Sequence, residues 1–256
     1  MQVETITSRQ NSLMTHLRKL ASSRAYREEK GEYLCDGIKL LDEALKWNAP
    51  IRTAVFADGV EIPPLPDGVR AVRVSRELMR SVSPMETPQG ALFTVALPER
   101  KLPRQLTDRH YLVLDGVQDP GNVGTIWRTA DAAGFQALLI GSGSADMLSP
   151  KVQRAAMGSG FRIPYCAADD LAGALKELRK NGYRVIASDL HGACFYDRPD
   201  MGEKFVLVIG NEARGISQPV FAQADVRLKL PMRGGAESLN AAVAAGIMMY
   251  ELMKGK

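Results

Sequence analysis

Five polar residues in three separate stretches of the chain could do chemistry together. DGVQDPGNVGTIWRTADAAGF (115–135) carries Asn122 and Arg128, VLVIGNEARGIS (206–217) carries Glu212, and AESLNAA (236–242) carries Ser238 and Asn240. Arg128 stands one helical turn above Gly124, so nothing bulky flanks its guanidinium on that side. An arginine so placed near a helix N-terminus suits bidentate capture of a phosphate. An exposed Arg128–Asp131 pair of little energetic weight is the plainer alternative. Glu212 follows an apolar strand, where a carboxylate could take a proton, bind an amine or anchor a loop. Turn-forming Asn211 and Gly215 explain part of that pattern without chemistry. Glu237, Ser238 and Asn240 crowd the start of a slender apolar helix, and exposed amides there would suit a polar ligand. The chain has no Ser-His-Asp order, no metal-ligand cluster and no P-loop. What is left is chemistry that needs a positioned hydroxyl, an arginine and a cofactor bringing its own electrophile.

The elements that must hold these residues are legible as periodicity. YLVLD (111–115), ALLIG (137–141), YRVIAS (183–188), FVLVIG (205–210) and VRLKL (226–230) are near-continuous apolar runs. Helical patterns at 123–134, 149–158, 170–181 and 217–222 separate them. That alternation predicts an α/β domain whose parallel sheet is covered on both faces. Asp115, Ser142, Asp189, Asn211 and Met232 then fall at the strand C-terminal ends, where open α/β sheets bind ligands. In the first stretch a helix is expected from Asn122 or Val123, with Val123, Ile126, Trp127, Ala130 and Gly134 on its buried face. In the last, Ser238 occupies the expected N-cap, and Leu239, Val243, Ile247 and Tyr250 share one face. Ala241, Ala242, Ala244, Ala245 and Gly246 keep the rest of that helix slim enough for close backbone packing. SPKVQRAAMGSGFRIP (149–164) reads as a plain capped helix, with Ser149 as cap, Pro150 at its first position, and Lys151 and Arg154 side by side.

Ahead of this, GEYLCDG, IRTAVFA, RAVRV and ALFTVAL are strands alternating with the helices IKLLDEALKW and RELMRSV, a second and smaller α/β domain over 1–97. PERKLPRQLTDR (98–109) is proline-rich and charged and reads as the linker to a domain over 110–256. Residues 1–30 place Arg9, Arg18, Lys19, Arg24 and Arg27 around an apolar stripe of Leu13, Leu17 and Leu20. Such a cluster is either a solvated helix face or an RNA contact, and Lys151 and Arg154 are the further basic residues expected at RNA.

Composition narrows the classes. The 256 residues are 45% hydrophobic and 24% charged, an ordinary globular balance. The net charge of +4 mildly favours an anionic partner. Cys35, Cys166 and Cys194 are scattered, which argues against a disulfide framework and suits a reducing cytoplasm. His191 and Cys194 share helical spacing, but two ligands are too few for a zinc site. The N-terminus lacks a signal-peptide shape, and no apolar run approaches the roughly 20 residues that span a bilayer. A dinucleotide site is a weak rival, because GxGxxG is absent and no acidic residue closes the next strand.

NVGTIWRTADAAGF, LVIGNEARGIS and LPMRGGAESLNAAVAAGIMMYEL resemble, in order, the three motifs of SpoU-type RNA ribose methyltransferases of the SPOUT superfamily. SPKVQRAAMGSGFRIP resembles the stretch that family carries between them, and the likeness covers about 110–256. The first hundred residues resemble the RNA-binding domain, similar to a small ribosomal protein, found before such catalytic domains. The resemblance implies a deep trefoil knot, a homodimer, and S-adenosylmethionine held by the loops Ile209 to Gly215, Leu230 to Arg233 and Ser238 to Asn240. Its cofactor contacts would come from Ile209, Gly210, Asn211, Leu230, Met232, Ser238, Leu239 and Asn240. It further implies methyl transfer to a ribose 2′-hydroxyl in RNA, ribosomal RNA ahead of transfer RNA, with no metal. A non-catalytic RNA binder of the same fold is the alternative. Arg128, reaching the site of the partner subunit, would hold the adjacent phosphate and assist loss of the hydroxyl proton. Asn122, Glu212 and Asn240 would orient Arg128, the loops and the ribose, and Ser238 would line the hydroxyl side. One departure stands out: the family often has a serine two residues after the motif asparagine, and here that position is Ala242.

Overall fold

A computed structural model describes residues 3–100 and 110–254. Most of the expected linker, 101–109, lies outside the described residues. By internal contacts the chain divides into two compact units, Met1–Glu99 with Asp146–Phe161, and Arg100–Ala145 with Arg162–Lys256. The 146–161 segment, which the sequence pattern gives to the C-terminal domain, thus groups with the first unit.

In chain order the first unit contributes β1 (Val3–Ile6), α1 (Ser12–Ser22), α2 (Arg24–Lys30), β2 (Glu32–Asp36), α3 (Ile38–Lys46), β3 (Ile51–Ala57), β4 (Arg70–Val74), α4 (Arg76–Val82) and β5 (Ala91–Ala96). Its sheet runs β1-β4-β3-β5-β2 and is mixed: β3 pairs in parallel with β4 and antiparallel with β5. Leu13, Leu17 and Leu20 of α1 pack with Val55, Val72 and Leu92 in its core. Burial of that stripe, expected from its spacing, is what holds α1 on the sheet. The short β1 was not visible as a strand, because three of its four residues are exposed and carry no buried pattern.

The second unit begins with β6 (His110–Asp115), α5 (Pro120–Ala133) and β7 (Ala137–Gly141). After α6 (Pro150–Ala156), which belongs to the first unit, come β8 (Tyr165–Ala168), α7 (Leu171–Lys180), β9 (Arg184–Cys194), β10 (Phe205–Gly210), α8 (Gln218–Phe221), β11 (Val226–Lys229) and α9 (Ala241–Met253). The sheet order is β11-β9-β10-β6-β7-β8, and every pair is parallel, as the apolar runs predict. Tyr111, Val113, Leu139, Val185, Val206 and Val208 fill one face of the sheet with Leu175 and Leu178 of α7.

Two helix starts differ from expectation. α5 begins at Pro120, because the Asp119 side chain accepts the Asn122 amide and caps the helix two residues early. α9 begins at Ala241: Asn240, not Ser238, is the N-cap, its Oδ1 accepting from the amides of Ala242 (2.9 Å) and Val243 (3.3 Å). α9 also buries a different face from the apolar one read in the pattern. Ala242, Ala245, Met248, Met249 and Leu252 are inside, while Leu239, Val243 and Tyr250 are exposed. Small residues let α9 lie close to its neighbour, since a Cβ on Gly246 would meet Thr129 of α5 at 3.5 Å.

Within the first unit, Arg27 is buried, donating to the Leu20 carbonyl and pairing with Asp146 of the 146–161 segment. A buried guanidinium left without its counter-charge is costly, about 3–5 kcal/mol for a fully enclosed pair. Asp146 is partly exposed, so Asp146→Ala is expected to lower stability by about 2 kcal/mol, less than for an enclosed pair. Urea denaturation checks it, with Asp146→Asn losing less.

Candidate active site

β6 and β10 lie side by side and end in register, Gly210 opposite Asp115. Their loops therefore leave the same edge of the sheet. A Cβ on Gly210 would sit 2.4 Å from the backbone of Gly215 and Ile216, so only glycine lets the chain fold back this tightly. The 211–215 loop is closed by paired backbone bonds between Asn211 and Gly215, both 2.9 Å. Asn211 completes it with its side chain: Oδ1 accepts from the amides of Ala213 and Arg214 (both 3.0 Å), and Nδ2 donates to the Gly116 carbonyl (2.7 Å). Asp115 accepts the Ser217 amide at 2.7 Å, tying the far side of the loop to the neighbouring strand.

The three sequence stretches meet through a chain of side chains. Asn240, capping α9, donates Nδ2 to Asn122 Oδ1 at 2.9 Å. Asn122, in the first turn of α5, donates Nδ2 to Glu212 Oε1 at 3.0 Å. Glu212 also accepts the amides of Gln118 (3.2 Å) and Asp119 (3.4 Å). Burial alone would raise the Glu212 pKa. The bonds donated by Asn122, Gln118 and Asp119 outweigh it and hold the carboxyl below the ordinary glutamate value. Glu212 is thus an ionised anchor that accepts hydrogen bonds from its neighbours.

Beside this chain opens a cleft of about 740 Å³. Every residue expected at a cofactor lines it: Ile209, Gly210, Asn211, Leu230, Met232, Ser238, Leu239 and Asn240. Glu212 lines it as well. Arg128 and Asn122 do not. Arg128 is exposed on α5 and, among the described residues, makes no hydrogen bond or ion pair. The Arg128–Asp131 pair is not formed, because Asp131 accepts from Arg162 at 2.6 Å instead. Ser188, Asp189, Leu190, His191, Arg227 and Lys229 also line the cleft and were not singled out as site residues. The only signals were Asp189 at a strand end and Gly192 in the run that follows. Among the described residues no three His, Cys, Asp or Glu gather as a metal site.

The basic residues expected at RNA are dispersed. Arg27 is corrected to a buried structural residue. Arg154 is half-buried and turned toward the enclosed Asp36, 3.8 Å away, so it is a structural residue too. Arg18 donates to the carbonyls of Arg9 and Ser81. Arg9 makes an exposed pair with Glu77 (2.7 Å), a bond of little net worth. Lys19, Arg24 and Lys151 are exposed.

Comparison with known proteins was decisive for the family. Residues 109–250 match the SpoU rRNA methylase family model. The chain belongs to that family. In addition, residues 11–92 match an MRM3-like substrate binding domain. Among SpoU relatives, the chain is 36% identical to the 23S rRNA (guanosine(2553)-2′-O)-methyltransferase RlmP of Bacillus subtilis, over 96% of this chain and 98% of RlmP. It superposes on the SpoU methyltransferase AviRb from Streptomyces viridochromogenes, solved in complex with AdoMet, with a TM-score of 0.86 at 26% identity, covering 96% and 98% of the two chains. An rRNA methyltransferase from Sinorhizobium meliloti gives a TM-score of 0.86 at 28% identity over 99% and 98%.

The anchoring by Glu212 has a pH signature. Its folded pKa lies below its ordinary value, so the stability it contributes is present above that ordinary value, 4.5, and is lost as pH falls through the lowered one. Wild type is therefore expected to exceed Glu212→Gln in thermal stability at neutral pH. The gap should close below pH 4.5, measured by melting both proteins across the acid range.

Proposed function

We infer that this chain transfers the methyl group of S-adenosylmethionine to a ribose 2′-hydroxyl of ribosomal RNA. The observation that carries the reading is that the second and third SpoU motifs line one cleft and the first is tied to them by the Asn240–Asn122–Glu212 hydrogen bonds. RlmP, 36% identical over almost the whole length, supports ribosomal RNA and the 2′-oxygen.

The cleft suits S-adenosylmethionine on its own terms. Its walls combine apolar side chains, Ile209, Leu230, Leu239 and Met248, with the polar groups of Asn211, Ser238 and Asn240, and such a lining fits a nucleoside with a polar tail. When bound, the cofactor supplies a methyl made electrophilic by its sulfonium, so the chemistry needs no metal. Gly210 and the 211–215 loop bring backbone groups to the cleft wall. Asn240 and Ser238 add polar side chains to its lining, and in this reading they position the ribose hydroxyl. Glu212 fixes Asn122 and the α5 entry loop and leaves its charge compensated.

A neutral hydroxyl is a weak nucleophile and needs help losing its proton. A guanidinium is a donor and not a base, so the part of Arg128 is to hold the adjacent phosphate and stabilise charge as the proton departs. It stands outside the cleft of its own chain, which we read as action on the cleft of a second copy. The exposed Leu239, Val243 and Tyr250 on or beside α9 support such a dimer, since an apolar stripe of that kind usually marks an interface. The same reading has the C-terminal segment threaded as a knot, which the small residues of α9 would accommodate.

Arg128→Ala is expected to leave S-adenosylmethionine affinity within twofold or so while turnover on ribosomal RNA falls by roughly 10²-fold or more. Calorimetry and transfer of labelled methyl to 23S rRNA check the two halves. Near-normal turnover would remove Arg128 from the mechanism.

A further inference from the structure

The wall of the cleft opposite the Asn240–Asn122–Glu212 chain is built from a break in the sheet. Arg227 of β11 pairs with Ala187 of β9, but the next residue, Leu228, pairs with Ala193. One step on β11 therefore answers six on β9, and Ser188–Gly192 leave the ladder. Four of these five, Ser188, Asp189, Leu190 and His191, line the cleft. The fifth, Gly192, makes the return possible: a Cβ there would lie 2.6 Å from the Arg227 carbonyl group.

An excursion this long needs something to hold it. Asp189 Oδ2 accepts from Arg227 Nε (2.9 Å) and from a terminal guanidinium nitrogen (2.6 Å). The other carboxylate oxygen accepts the His191 amide at 3.1 Å. The Arg227 guanidinium also lies 4.3 Å over the Phe221 ring of α8. Its charge is thus committed to a carboxylate and a ring face within its own chain, and little of it is available to a ligand. Asp189 is mostly enclosed, its side chain 13% exposed, where such a bond is worth more than on open surface. Leu190, by contrast, is 57% exposed, an apolar side chain presented to the cleft with no core to enter.

β9 lies between β11 and β10 in the sheet. The excursion therefore emerges between the Leu230–Met232 segment and the 209–215 loop. We propose that Asp189 and Arg227 are positioning residues, a clamp that holds Ser188–Gly192 so that Leu190 closes the cleft over the nucleoside part of S-adenosylmethionine. The proposal rests on the cofactor reading of the cleft given above. Neither clamp residue contacts the reacting atoms; both act through the wall they hold.

Calorimetric titration with S-adenosylhomocysteine and with 5′-methylthioadenosine tests it, because the second keeps the nucleoside and lacks the amino-acid end. Arg227→Met and the isosteric Asp189→Asn are each expected to raise the Kd for both molecules by about tenfold. The double variant should be no weaker than either single one, as for residues acting as a unit. In turnover, KM for S-adenosylmethionine should rise by a similar factor while kcat falls less than about threefold. Unchanged affinity in folded variants would overturn the clamp. So would loss confined to S-adenosylhomocysteine, which would make Arg227 a direct partner of the amino-acid end. If wild type binds neither molecule, the cofactor reading itself fails, and the clamp falls with it.

Discussion

The site depends on one constraint, that Asn240 must reach Asn122 and Asn122 must reach Glu212. These residues are separated by 118 and 90 positions, yet each bond is within 3.0 Å. A side-chain amide has both a donor and an acceptor, and Asn122 uses each in a different direction. Asparagine fits this middle position because aspartate could not donate to Glu212 and leucine could do neither. Asn240 is equally committed, its oxygen to the α9 amides and its nitrogen to Asn122. The start of α9, the start of α5 and the loop after β10 are therefore held as one polar assembly.

Why that assembly stands at the sheet edge follows from burial. The central parallel strands are enclosed: β6, β7 and β10 contain no exposed residue. Such strands have no room for polar side chains on either face. Chemistry has to wait until the strand ends, and parallel strands all end on the same side. The register makes this concrete. Gly210 and Asp115 are the last paired residues of neighbouring strands, so Asn211 can reach the Gly116 carbonyl directly. Stiffness of the core becomes precision at the edge, because each loop begins from a backbone that cannot shift.

Much of this was legible in the residues. The five parallel strands read from apolar runs are present. Of the residues at their carboxyl ends, Asp189, Asn211 and Met232 line the cleft, whereas Asp115 and Ser142 do not. Several of the misses share a physical form, dependence on a partner far along the chain. Arg27 looked like a surface cation because its neighbours are charged, but its partner Asp146 lies 119 residues away and draws it inside. Arg154 is claimed in the same manner by Asp36. The sequence pattern makes Ser238 the cap of α9, but Asn240 takes that place. The choice was made by tertiary contact, since Asn240 alone also meets Asn122. The β9 excursion was hidden for a related reason. A break in strand pairing is a property of two strands: the apolar run YRVIAS ends at Ser188, and only β11 laid beside it shows the pairing resuming at Ala193.

The exposed face of α9 shows how far periodicity can mislead. The spacing of Val243, Ile247 and Tyr250 is what a buried stripe looks like, yet Val243 and Tyr250 are over half exposed. The buried side is instead made of Ala242, Ala245, Met248, Met249 and Leu252. A helix with apolar residues all round has two apolar faces to cover, and one chain covers only one of them. Ala242, Ala245 and three large residues, Met248, Met249 and Leu252, take the inner face, and Val243 and Tyr250 are left on the outer one. Arg128 is exposed on α5, the helix against which α9 packs, with its charge uncommitted among the described residues. An uncovered apolar helix face and an unused guanidinium on the neighbouring helix are independent features with one shared consequence. Both fit the dimer inferred above, in which a second copy of the chain would cover the face and receive the guanidinium.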